Sequence, residues 1–181
     1  MERSGTLYTV GFTFVVTFLI VMLLSATHSF TAPRAELHEI ERYQRAVLAA
    51  LSIHAEERQE VFRRYAKLDR LEVNGVPLYR PANGTDTVYA KEFSGPGVWG
   101  PISGILSLSA SGEEIHRVVI LDQNETPGLG GRITEEEFLR QFQGERIGSD
   151  GLTMVPRGSG DYDPTNSSID GIAGATSTSR A

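Results

Sequence analysis

The chain has 181 residues, 40% of them hydrophobic and 22% charged, the balance of a folded domain with an appendage rather than of a disordered segment. A net charge of −6 argues against nonspecific nucleic-acid binding, which needs many Lys and Arg to displace counterions. The absence of cysteine excludes disulfides, thiolate metal sites, cysteine-held iron–sulfur clusters and a cysteine nucleophile, so any redox chemistry must come from a cofactor held another way.

Leu7 to Ala26 reads LYTVGFTFVVTFLIVMLLSA, without a single charge. As a helix rising about 1.5 Å per residue it spans about 30 Å, the thickness of a bilayer's hydrocarbon core. A secretory signal is the alternative, but its apolar core usually has about 7–15 residues. Leu24-Ser25-Ala26 is also a poor cleavage site, because Leu24 is bulky. The expectation is a retained single-pass anchor over residues 1–33, with Pro33 at the membrane exit. Arg3 and the α-amino group precede the run. Arg34 follows it, together with Glu36, Glu39 and Glu41. The N-terminus is therefore expected inside, and residues 34–181 outside the cytoplasm as one domain.

After the anchor, Leu37, Ile40, Tyr43, Val47, Leu48 and Leu51 recur at helical spacing, and AEERQEVFRRYAK brings Val61, Phe62 and Tyr65 together on a second helix. Asn74-Gly75, between LEV and VPLY, predicts a hairpin. From about residue 85 the pattern is that of strands. Ile102, Leu106 and Leu108 interleave with serines, Ser111-Gly112 makes a turn, and Ile115 to Leu121 has strand length. Thr134 to Glu137 resembles a capping box opening a short helix with Phe138, Leu139 and Phe142 on one side, ended by Gly144. Gly158 to Ser168 is a loop by composition. Helices first and strands after predict an α+β fold: N-terminal helices, then a twisted, mainly antiparallel sheet.

Few motifs carry familiar chemistry. Gly95-Pro-Gly97-Val-Trp-Gly100 spells a dinucleotide fingerprint, but Pro101 and an alternating strand follow where that site needs a helix. It is read instead as a glycine-rich turn that brings Trp99 near something flat. His28, His38, His54 and His116 include no pair at i, i+4, and Asp161-Tyr-Asp163 lacks the glycine of a calcium loop, so no metal site is expected. Asn83-Gly-Thr85, Asn124-Glu-Thr126 and Asn166-Ser-Ser168 are glycosylation triplets by spelling alone. There is no G-x-S-x-G elbow and no phosphate-binding P-loop. Two segments rich in small residues and hydroxyls remain, Asn124 to Gly131 and Asp170 to Ser179. Their glycines let a backbone approach a ligand closely. Two plain surface loops are the alternative reading.

Glu125 to Gly131 as ETPGLGG, with Asp170 to Thr176 as DGIAGAT about 45 residues on, resembles the FMN-binding domain family. The resemblance implies that a flavin transferase joins the FMN phosphate to Thr176 as a phosphoester. Gly174 and Ala175 would keep that hydroxyl accessible, and Asp170 and Gly171 would belong to the stretch the transferase reads. It further implies that Thr126 and Leu129 touch the flavin ring, with Glu125 near it and Trp99 lining one face. Val98 to Ile102 is similar to the W-G-P segment of that family's quinone reductase members. The implied role is an electron carrier in a membrane Na+-translocating NADH:quinone reductase, passing electrons between partner subunits at a bacterial inner membrane, with no catalytic acid, base or nucleophile of its own. A G-type subunit of an Rnf electron-transport complex, a stand-alone flavinylated carrier and a membrane-anchored scaffold without flavin remain as alternatives. Two departures stand out. Ala173 occupies a position where the family usually has Ser or Thr, and the sequence stops at Ala181, where relatives continue into a helix. The C-terminal helix is therefore expected to be missing, either because the sequence is part of a longer chain or because the phosphate is held more loosely.

Overall fold

The computed structural model describes residues 3–82, 88–155 and 163–179. The Asn83-Gly-Thr85 triplet, and Asp161 and Tyr162 of the rejected calcium loop, lie outside the described residues. The chain divides into two units, Met1–Ile40 and Glu41–Ala181.

Helix α1 (Arg3–Ala50) supplies the first unit and the opening turns of the second. Its most apolar window has a mean hydropathy of 2.4 with none of it buried, so it is long and apolar enough to cross a membrane. The helix continues through Pro33, whose missing N–H removes one rung of the backbone ladder without ending it. The apolar stripe expected beyond Pro33 is buried only in its later part. Leu37 and Ile40 are exposed, whereas Val47, Leu48 and Leu51 are core, because only residues from Glu41 onward belong to the folded unit.

In the second unit, α1 ends over an antiparallel meander of five strands, β1 (Leu68–Val73), β2 (Val76–Pro81), β3 (Val88–Pro96), β4 (Pro101–Ser109) and β5 (Ile115–Asp122), in that spatial order. The β1–β2 hairpin turns at Asn74 and Gly75, both at positive φ, as the Asn-Gly signal requires. One face of the sheet meets the helices. Ala46, Val47 and Ala50 of α1, with Leu51 just after it, pack with Tyr79, Ala90 and Ile105, and Tyr65 of α2 (Arg58–Tyr65) joins them. Ser107 of β4 does not face water on this side. It is fully buried, and its hydroxyl donates to the Ala50 carbonyl at 2.6 Å, satisfying an end of α1 that has no partner within the helix.

The opposite face carries a second layer. Ile102 packs with Ile133 of a 3₁₀ turn (Gly130–Thr134), Phe138 of α3 (Glu136–Arg140), Ile169 of β7 (Ser168–Asp170), and Ile172 and Ala175 beyond it. β6 (Thr153–Val155) pairs with β7 in parallel, whereas the strand pairs of the five-stranded sheet are antiparallel. The expected capping box is corrected. Thr134 donates its hydroxyl back to Gly131 and so closes the 3₁₀ turn, while Glu135 is the residue that precedes α3. A single helical turn, α4 (Thr176–Ser179), begins at Thr176.

Candidate functional site

Three segments far apart in sequence meet beside this second layer. The first is the turn between β3 and β4. Gly97 donates to the Gly100 carbonyl at 2.9 Å, with Val98 and Trp99 at the apex. The fingerprint spelling is therefore a hairpin turn followed by a strand, as its Pro101 implied. Trp99 is 70% exposed, which leaves its indole open to contact.

The second segment follows β5. Thr126-Pro127-Gly128-Leu129 forms a tight turn closed by the Leu129 N–H on the Thr126 carbonyl at 3.1 Å, with Gly128 at φ 76°. Proline then glycine at the two central positions suits a type II turn, since the ring fixes the first φ and glycine permits the second. The turn leaves Leu129 47% exposed.

The third is the run from β7 into α4. Gln141 fixes its entry: the Asp170 N–H donates to Gln141 Oε1 at 2.8 Å, and Gln141 Nε2 donates to the Asp170 carbonyl at 3.4 Å. The chain then turns at Ile172–Ala175, closed by the Ala175 N–H on the Ile172 carbonyl, with Gly174 at φ 79° where a side chain would be strained. The Ser179 hydroxyl ties α4 back by accepting from the Ile172 N–H at 3.1 Å. Ala173, Gly174 and Thr176 are exposed, and Ala175 is buried beneath them.

These segments line one open cleft of about 460 Å³ bounded by Val98, Trp99, Glu125, Thr126, Leu129, Gly130 and residues 174–178. Of the expected site residues, Trp99, Glu125, Thr126, Leu129, Gly174, Ala175 and Thr176 all lie on it. Asp170 and Gly171 do not. They line a separate depression of about 70 Å³ with Gln141 and Phe138.

Glu125 sits differently from its neighbours. It is 6% exposed, and both carboxylate oxygens are occupied. Oε1 accepts from the Trp99 N–H at 3.0 Å, and Oε2 from the Thr178 hydroxyl at 2.6 Å. Donation from Thr178 first, and from the Trp99 N–H second, holds its carboxyl below the usual carboxylate range despite partial desolvation. Gly97 and Gly130 make room for it: a Cβ on either would fall 2.6 or 2.5 Å from its oxygens. Thr178, Gly130 and Ser179 lie in the two segments singled out from the sequence but were not among the expected site residues, and Gln141 lies outside both segments and gave no signal. The Gly and hydroxyl richness of both segments was the available signal, but it does not single out these partners.

Among the described residues, no cluster of three or more His, Asp or Glu could hold a metal ion. His116 shares a 3.0 Å hydrogen bond with Ser52, and His54 faces Glu56 at 3.7 Å.

Comparison with known proteins bears out the resemblance drawn from the two motifs. Residues 97–181 match the FMN-binding domain family. The chain is 40% identical over 116 residues to NqrC, the third-lettered component of the Na(+)-translocating NADH-quinone reductase, of Chlamydia pneumoniae, covering 54% of this chain and 36% of that protein. It is 32% identical over 113 residues to the protein of the same name from Pasteurella multocida, covering 61% and 44%. The chain thus spans less than half the length of these curated relatives. The crystal structure of the Parabacteroides distasonis NqrC superposes with a TM-score of 0.65 at 21% identity, over 81% of this chain and 86% of that one. That of Shewanella oneidensis NqrC gives 0.62 at 19%, over 81% and 88%. At these identities the superpositions speak for the α+β fold with its antiparallel sheet.

Proposed function

We propose that this chain is a membrane-anchored carrier of covalently bound FMN, an electron-transferring subunit of a Na+-translocating NADH:quinone reductase. The observation that supports it most is the convergence of Trp99, Glu125, Thr126, Leu129, Gly174, Ala175 and Thr176 from three separated segments on one cleft. Its volume of about 460 Å³ falls within the usual range for cofactor sites.

The residues fit the group. The exposed Trp99 indole and Leu129 side chain offer apolar walls to a planar ring, and Thr126 adds a hydroxyl on the same cleft. Thr176 is exposed at the start of α4, open to an approaching transferase. Bound FMN would supply the redox chemistry, accepting electrons and returning them. The side chains bind and orient, and none is needed as acid, base or nucleophile during turnover. Thr176 would react once, in maturation: its oxygen would bond to the flavin-side phosphorus of a flavin dinucleotide supplied through the transferase, its hydroxyl proton would be lost, and the nucleoside monophosphate half of the dinucleotide would leave as the P–O–P bond breaks. Covalent attachment removes dissociation, which suits a carrier facing an open aqueous compartment.

On this reading the transferase reads Asp170 and Gly171 in their depression beside the cleft. Partner subunits deliver and remove the electrons, and ion movement belongs to them. The apolar stretch of α1 lies in the lipid bilayer of a bacterial inner membrane, with the folded unit on its outer side. Co-expression with a flavin transferase, followed by denaturing electrophoresis, tests the proposal. A fluorescent flavin band that survives denaturation and needs the transferase is expected; a dark band from folded protein made with a working transferase contradicts it.

A further inference from the structure

The bond between Thr178 and Glu125 joins positions 53 residues apart. It is one of two links that meet on the same carboxylate: the Trp99 N–H donates to Glu125 Oε1, and the Thr178 hydroxyl donates to Glu125 Oε2. One buried carboxylate thus ties the turn that carries Trp99 to the helical turn that carries Thr176. Each partner is committed to the arrangement. Thr178 is 4% exposed and Glu125 is 6% exposed. Gly97 and Gly130 both lie where a side chain would collide with the carboxylate.

Two residues apart on a helix, side chains diverge by about 200°. Holding the Thr178 hydroxyl inward therefore holds Thr176 outward, and Thr176 is exposed as this demands. The same carboxylate restrains the backbone of Trp99 on another wall. Because both of its oxygens are engaged by the protein, Glu125 is suited to bracing the walls rather than to contacting a bound ring.

We infer that Thr178 is a positioning residue, acting through Glu125 to set Thr176 and Trp99 in the relative placement that flavin loading requires. The inference deepens the function proposed above and rests on it for the word loading, but the brace itself is a property of the protein without flavin.

The test uses the full chain as wild type, Thr178→Val and Thr178→Ser. Valine keeps the shape and removes the hydroxyl, while serine restores the hydroxyl. Trp99 is the one tryptophan in the sequence, so intrinsic fluorescence of the flavin-free protein reports on the far end of the brace. Thr178→Val is expected to change the emission maximum and the access of a soluble quencher to Trp99, with Thr178→Ser close to wild type. Flavinylation of Thr178→Val by the transferase is expected to slow by at least about tenfold, as small misplacements of reacting groups do, and Thr178→Ser to recover most of the rate. Unchanged Trp99 fluorescence in Thr178→Val overturns the inference, as does an unchanged loading rate. Wild type that is never flavinylated overturns the proposed function instead, and the fluorescence comparison still decides the brace.

Discussion

Gly130 passes so close to Glu125 that a Cβ on it would stand 2.5 Å from the carboxylate Oε2 and 2.8 Å from the Thr178 hydroxyl. The glycine is needed here for close approach, since its φ is not among the positive ones. Gly130→Ala should therefore destabilise the folded unit by about 1–3 kcal/mol, the usual cost of forcing an extra carbon into a packed site. Urea denaturation measures this directly. Gly112, at the tip of a turn with nothing within 4 Å of a Cβ, is the control for crowding, although its φ of +75° brings a separate backbone strain.

Acid should weaken the same site. The Thr178 hydroxyl and the Trp99 N–H stabilise the charged form of Glu125, which lowers its folded pKa below the unfolded value near about 4.3. A lowered pKa means that the stabilisation is complete above the unfolded value and is lost as pH falls through the folded one. In urea unfolding from neutral pH down to about pH 3, the wild-type advantage over Glu125→Gln should hold above about pH 5 and shrink steadily below about 4.3. An advantage that does not change over that range would show that the carboxylate does not titrate as the structure implies.

Trp99 should matter to the bound flavin and little to the fold. Its side chain is largely exposed, so Trp99→Ala should change stability by no more than about 0.5 kcal/mol. Loading at Thr176 should still proceed, but the visible circular dichroism of the attached flavin should weaken, because one asymmetric wall is gone. An unaltered spectrum would remove Trp99 from the cofactor's surroundings.

Local signals in the sequence were reliable where the physics is local. Asn74-Gly75 and Ser111-Gly112 demand turns, the uncharged run from Leu7 to Ala26 is apolar enough for a membrane, and the alternation around Ile102 to Leu108 is that of a strand. The reading failed where partners are distant or compete. Thr134 and the glutamates after it have the spelling of a capping box, but the Gly131 carbonyl captures the Thr134 hydroxyl first. Ser107 alternates like a solvent-facing residue, yet the end of α1 covers it. The parallel β6–β7 pair joins two three-residue strands, too short to show a pattern in the sequence. Within the site, the two motifs marked the segments that meet. The inward role of Glu125 was hidden, because its partner Thr178 is 53 residues away and looks like any other hydroxyl in a run of Thr and Ser.

The central claim is a bond at one oxygen, and intact-mass analysis with peptide mapping tests it most directly. Full-length protein co-expressed with a flavin transferase should gain the mass of one FMN less the elements of water, with the increment on the peptide that contains Thr176. Thr176→Ala, at an exposed position, should fold normally and gain nothing. An unmodified wild type in the presence of a working transferase, or an adduct that persists in Thr176→Ala, would contradict the account.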